Sequence, residues 1–219
     1  MRLRLRTAVE HGEPGFESGV DGVEWENIVI EAASDPRARG MNLSAIADAR
    51  SCSAFDAFLQ LLMDDPMTSC IGHAMQDSDV ATILADPRVF VASDGSAVSP
   101  IGPGGELPVH PRNYCTFPRA LALARDRHLL PLELTVQKMT SLPADRFGLR
   151  DRGRVAPGNY ADLVVLEPEK VQDTSTFQHP HSFAEGVSTV MVNGSVAWQN
   201  QSPATIRRHG RALRGRNAG

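Results

Sequence analysis

The chain has 219 residues, 42% hydrophobic and 22% charged, with a formal net charge of −4. These proportions fit an ordinary soluble globular protein of one domain or two small ones. The one basic cluster is terminal (Arg207, Arg208, Arg211, Arg214 and Arg216) and has no aromatic residues between its arginines for base stacking, so it reads as a solvated tail and no nucleic-acid partner is expected. Three widely spaced cysteines, Cys52, Cys70 and Cys115, argue against a disulfide framework and a structural zinc site, and fit a reducing compartment. No apolar stretch approaches the roughly 18 residues of a membrane span. Met1–Arg6 lacks the apolar core of a secretory signal. A cytoplasmic protein with no membrane partner is the expectation.

In chain order, residues 1–40 read as a loop-like lead, with Glu13-Pro14-Gly15 and Ser18-Gly19 as turn signals. Within it, Ile28, Val29 and Ile30 form a short apolar run suited to a strand that Asp35-Pro36 ends. Leu43, Ile46 and Ala47 have helical spacing behind a cap at Asn42 or Ser44. Phe55, Phe58, Leu59, Leu61 and Leu62 make a second helical stripe opened near Ser53. Cys70–Met75 predicts a short strand. Asp77-Ser78-Asp79 then opens a helix carrying Val80, Ile83 and Leu84, and Val89–Ala92 predicts a further strand. Strand, helix and strand in that order imply a parallel βαβ unit. Cys52 and Cys70 read as buried thiols, and His73 as a core or rim histidine.

Helices are expected over Arg119–Arg127 and Leu132–Thr140, with a domain boundary near Ser141–Arg150. Asp162–Leu166, Val187–Val192 and Ser195–Trp198 read as strands. Asn193-Gly194 between the last two favours a two-residue hairpin turn. The fold class is therefore α/β, with residues 41–145 as one part and 146–219 as a small β-sheet domain with a basic tail.

The most informative position is Asp94, which follows Val89-Phe90-Val91-Ala92-Ser93 and precedes Gly95. A carboxylate at the end of a buried strand can hold a metal or move a proton. Asp-Gly is also a common turn pair, and on that dipeptide alone a plain turn is the better reading. Residues 95–112 are rich in glycine and proline, and long loops after such a strand are often functional. No Gly-Lys-Ser/Thr follows those glycines, so they do not form a nucleotide loop. His110-Pro111-Arg112, Tyr114 and Phe117-Pro118-Arg119 come next, then Pro157-Gly158-Asn159-Tyr160-Ala161-Asp162-Leu163-Val164.

This series resembles the C-terminal part of the D-aminoacylase-like (N-acyl-D-amino-acid deacylase) branch of the amidohydrolase superfamily, from about Met41 to the end. The Pro-Gly-x-x-Ala-Asp-Leu-Val segment marks the superfamily, and the Ser-Asp-Gly, His-Pro-Arg and Phe-Pro-Arg series marks the branch. The resemblance implies a hydrolase of non-peptide amide bonds, with a (β/α) barrel holding one or two zinc ions at its strand ends. Its ligands in that family are an early His-x-His pair, a mid-barrel Cys, Glu or modified Lys, two later histidines, and an aspartate after the last strand. By motif Asp94 matches that aspartate, as both catalytic group and metal ligand. Its implied work is to take a proton from metal-bound water and deliver it to the leaving nitrogen of an N-acyl-D-amino acid. Arg112 is a candidate clamp for the substrate carboxylate, with His110 beside it; the alternative is that His-Pro-Arg braces the loop. Arg119 reads as a structural ion-pair partner, Tyr114 as packing, and Gly153, Gly158 and Asp162 as turn and strand-entry residues.

No His-x-His precedes Asp94, and His179-Pro180-His181 lies in the β-rich region, where a surface loop is the expectation. The resemblance thus implies the last part of a barrel followed by a small β-rich domain, incomplete relative to the family. Open sheet edges then invite a complementary fragment or a second copy. Two rival readings stand beside the hydrolase: a non-catalytic remnant without metal, and a small β-sheet binding module with helical attachments.

Overall fold

In this computed structural model, residues 2–15, 17–106, 109–199, 202–204 and 208–213 are described. Arginine and leucine are good helix formers, and helix α1 (Arg2–His11) occupies the lead that was expected to carry little regular structure. It buries no residue and is held by charge. Arg6 pairs with Glu10 one turn on at 3.0 Å, Arg4 reaches Glu13 at 3.2 Å, and Arg2 reaches Asp56 at 2.6 Å. Strand β1 (Ile28–Ala32) follows, as the apolar run predicts.

Helix α2 (Leu43–Arg50) is capped by Asn42, whose side chain accepts the Ala45 N–H at 2.7 Å. Helix α3 (Ala54–Asp64) is capped in the same way by Ser53. Strand β2 (Ser69–Gly72) pairs antiparallel with β1, Ile30 facing Cys70. Ile28, Ile30, Leu43, Ile46, Ala57 and Leu61 form the core of this part, with the Trp25 ring 5.8 Å from Phe58. Burying each large aliphatic side chain there contributes about 1.5–3 kcal/mol. Cys70 points outward from β2 and is exposed, and Cys52 is only half-buried, so neither is the fully buried thiol expected. His73 lies just beyond β2 and is exposed, a rim residue.

The second part begins with helix α4 (Asp77–Ala85), as the acidic start and apolar spacing predict. Val89–Ser99 belongs to no ladder. The strand expected there finds no strand neighbour among the described residues, and β2 runs antiparallel to β1, so the parallel βαβ unit is absent from them. An apolar run becomes a strand only where another strand meets its N–H and C=O groups. This one spends the Val91 N–H on the Lys138 carbonyl at 3.1 Å instead.

Helix α5 (Arg112–Asp126) starts seven residues earlier than expected and carries Pro118 inside it. Such a proline forfeits one helical hydrogen bond, and contacts of the first turn, described below, hold the helix there. Helix α6 (Leu132–Gln137) ends short of Thr140. Helix α7 (Ser141–Arg146) forms in the expected boundary region, with Pro143 in its first turn, where no N–H is needed. Strands β3 (Leu163–Leu166), β4 (Val187–Val192), β5 (Ser195–Gln199) and β6 (Ser202–Pro203) make one antiparallel sheet in that order. Asn193 and Gly194 turn β4 into β5 with φ of 49° and 82°, the left-handed pair that a two-residue hairpin requires.

Contacts divide the chain into two compact units, Met1–Gln76 and Asp77–Gly219, which do not coincide with the boundaries expected near residues 40 and 145. Of the basic tail, Arg208 and Arg211 are described; Arg207, Arg214 and Arg216 lie outside the described residues, as do Leu107 and Pro108 of the glycine-rich loop. Among the described residues no helix is long and apolar enough to cross a membrane.

Candidate active site

Asp94 has a φ of 49°, in the left-handed region that aspartate tolerates better than most residues. It is therefore Asp94 and not Gly95 that makes the turn. Gly95 is required for another reason: a Cβ there would lie 2.9 Å from Asn113 Oδ1 and 3.1 Å from Asn113 Cα. The turn is fastened on both sides. Before it, Val91 donates to Lys138, whose buried ammonium donates in turn to the Asp86 carbonyl. Within it, Ser93 Oγ accepts the Gly95 N–H at 3.2 Å. After it, Asn113 Oδ1 accepts the Ser96 N–H at 2.9 Å, and the Tyr114 hydroxyl donates to the Val98 carbonyl at 2.9 Å. The Asp94 carboxylate lies 3.1 Å from the Arg112 guanidinium, and its side chain remains 86% exposed. Such a carboxylate is available to water and ligand.

His110, Pro111 and Arg112 start α5. His110 Nδ1 accepts the Arg112 N–H at 3.0 Å, serving one of the unpaired amides at the helix start. This bond is local to the run and does not test the bracing of the loop weighed for His-Pro-Arg, while the Arg112 side chain faces Asp94. The His110 ring meets Phe177 edge-on at 4.9 Å. Tyr114 sits 2.9 Å from His181 Nδ1 and packs against Phe183, which packs against Trp198. A hydroxyl has one proton, so with Tyr114 donating to Val98, the shared hydrogen toward His181 belongs to the imidazole. Burial raises the Tyr114 pKa above its ordinary value near 10, so the phenol stays protonated at neutral pH.

The His-Pro-His loop thus divides. His179 is exposed, as a surface loop predicts, but His181 is half-buried against the first turn of α5. Arg119 pairs with Asp173 at 3.0 Å, as expected. Asn113 carried no signal in the sequence. Its partner lies 17 residues away, and only the anchored Asp94 turn reveals it.

Among the described residues no group of three His, Cys, Asp or Glu is placed to hold a metal ion. Asp94 offers one carboxylate, already facing a guanidinium. The described residues therefore do not by themselves fit a zinc site. Among its described residues the second unit has cavities at two places away from Asp94. One of about 450 Å³ lies between Leu121, Arg125, His128, Leu130 and Leu166, and one of about 370 Å³ between Arg150, Arg152, Tyr160 and Arg211. Neither is lined by Asp94, His110 or Arg112.

The α/β chain is similar over most of its length to proteins of a known family. The chain belongs to the amidohydrolase family, which residues 29–197 match, and to its D-aminoacylase-like branch. It is 42% identical over 168 residues to a D-aminoacylase of Alcaligenes xylosoxydans xylosoxydans, covering 76% of this chain and 32% of that protein. A solved D-aminoacylase with a binuclear metal centre superposes with a TM-score of 0.72 at 38% identity, over 85% of this chain and 37% of the other. An N-acyl-D-glutamate deacylase from Bordetella bronchiseptica, solved with zinc and a phosphonate inhibitor, gives 0.71 at 34% identity, over 86% and 38%. The chain spans about a third of the length of the curated relatives it matches.

Proposed function

We propose that this chain forms the C-terminal section of a zinc-dependent deacylase of N-acyl-D-amino acids, with α4–α7 as the last part of its (β/α) barrel and residues 146–219 as its small β-sheet domain. The observation that carries the reading is the likeness itself: residues 29–197 match the amidohydrolase family, and 168 residues are 42% identical to a D-aminoacylase. The structure leaves Asp94 on the surface and outside both described cavities, so its role rests on that likeness alone. A left-handed aspartate is held by bonds before, within and after it, yet its carboxylate is left in solvent.

In this reading Asp94 transfers a proton to the leaving nitrogen, a role worth about 10²- to 10⁴-fold in rate. Arg112 attracts the substrate carboxylate, and His110 fixes Arg112 through its backbone. In this reading the remaining metal-holding groups come from a complementary stretch of polypeptide, as the resemblance to the family implies. The three free thiols support work in a reducing compartment such as the cytoplasm.

The test is complementation. The chain is mixed with a polypeptide covering the N-terminal two-thirds of the Alcaligenes D-aminoacylase, zinc is added, and release of free D-amino acid from N-acetyl-D-amino acids is measured. The pair is expected to associate, bind zinc and deacylate, and Asp94→Asn is expected to lower kcat by about 100-fold or more without preventing association. An inert or non-associating pair would overturn the proposal, as would full activity in Asp94→Asn.

A further inference from the structure

Asp94, Ser96 and Val98 follow one another at every second position. Three consecutive residues of the first turn of α5 take hold of them in order. Arg112 faces the Asp94 carboxylate, Asn113 accepts the Ser96 N–H, and Tyr114 donates to the Val98 carbonyl. Between them, Gly95 approaches the helix so closely that any Cβ would strike Asn113.

These contacts are unequal in how they fix direction. The Asp94–Arg112 pair is exposed on both sides, 86% and 45%, and an exposed ion pair holds a side chain only weakly. Tyr114 acts four residues from Asp94. The Asn113–Ser96 bond is exposed as well, but it lies two residues away, is made to the backbone itself, and comes from a half-buried side chain. It is thus the contact that sets where the Asp94 Cα–Cβ bond points.

From this we infer that Asn113 is a positioning residue for Asp94: its amide oxygen fixes the Asp94-Gly95-Ser96 turn and so aims the acid, without touching substrate. The inference rests on the proposed deacylase reading and deepens it. It accounts for both the left-handed Asp94 and the invading Gly95, because a turn pulled against a helix N-terminus leaves room for neither a relaxed φ at Asp94 nor a side chain at position 95.

The experiment has two readouts. In the chain alone, amide hydrogen exchange at Ser96 is followed by NMR. In the complemented enzyme, kcat and KM are measured separately. Asn113→Ala is expected to speed Ser96 exchange about 10-fold or more while the Thr135 amide in α6 keeps its protection. It is expected to lower kcat about 10- to 100-fold with KM held within about 2-fold, as a misaimed catalytic group does. Asn113→Asp keeps an acceptor oxygen and is expected to restore slow Ser96 exchange. Unchanged Ser96 exchange in Asn113→Ala would overturn the inference, as would an unchanged kcat or a loss confined to KM. If the unsubstituted pair is inert, the deacylase reading falls, and the positional claim is decided by Ser96 exchange alone.

Discussion

Arg152 is 8% exposed, and its charge is met at three points. Asp162 Oδ2 contacts one guanidinium nitrogen, Asn193 Oδ1 accepts from another at 2.6 Å, and the Tyr160 ring lies under the guanidinium at 4.5 Å. Asp162 Oδ1 also accepts the Asn193 N–H at 2.7 Å, and the Asn193 side-chain amide donates to the His209 carbonyl at 2.5 Å. The Asp162 carboxylate therefore ties the strand entry at β3 to Arg152 and to the hairpin tip, and the Asn193 side chain carries the tie on to residue 209. Asp162→Ala leaves the guanidinium buried with no counter-charge. Breaking a fully buried pair costs about 3–5 kcal/mol. The Asp162 side chain is 34% exposed, so water offsets part of this, while the lost bond to Asn193 adds about 1 kcal/mol. The expected loss is about 3 kcal/mol, or roughly 6–12 °C in the melting temperature of the second unit. Arg152→Met is expected to cost less, about 1–2 kcal/mol, because the half-exposed carboxylate it leaves behind can hydrate. Calorimetric melting of the two variants measures both. A loss under about 1 kcal/mol for Asp162→Ala, or a larger loss for Arg152→Met, would refute the reasoning.

Two further outcomes follow from backbone and charge. Gly186 has a φ of 76°, and a Cβ there would lie 2.5 Å from Lys170 C and Val171 N, whereas Gly194, at 82°, has nothing within 4 Å. Gly194→Ala should therefore cost only conformational strain, about 1 kcal/mol, and Gly186→Ala about 3 kcal/mol or more from strain plus collision; equal urea midpoints would contradict this. Asp145 is held below its ordinary pKa of 3.8 by the Arg154 guanidinium at 2.6 Å, and Asp86 likewise by Arg88. Since the folded pKa values are depressed, this stabilisation is present above about pH 4 and lost as pH falls through the folded values. Urea midpoints should drop from pH 5 to pH 2.5, and the drop should shrink in Asp145→Asn; an identical drop would exclude the pair as a source.

What the sequence reveals is what neighbours in the chain decide. Asn42 and Ser53 cap their helices, and Asn193-Gly194 closes its hairpin, through bonds spanning a few residues. Local rules also misled where a distant partner outweighed them. The helix expected from Arg119 begins at Arg112 and runs through Pro118, where Asn113, Tyr114 and Cys115 find partners at Ser96, Val98 and Ser182. The Val89 run had the composition of a strand, and its ladder partner was a matter of tertiary pairing that composition does not contain. Helix α1 was missed because it has no buried face to show as periodicity; its support is the charge on Asp56 and Glu13.

The same division runs through the candidate site. The candidate Asp94 stands out in the sequence because Ser-Asp-Gly is a contiguous motif, and the candidate Arg112 because it follows His-Pro. The contacts around it do not, since Asn113 reaches Ser96 across 17 residues and His181 reaches Tyr114 across 67. Motifs name the reacting groups because chemistry restricts residue type at a point. Positioning restricts only geometry, and many residue types can supply one acceptor oxygen at the right place. If Asn113 acts as inferred, another member of the branch could fill its role with any side chain that places an oxygen at that Ser96 amide. The property to compare between relatives is therefore the bonded state of the amide two residues past the aspartate, not the identity of the residue after His-Pro-Arg.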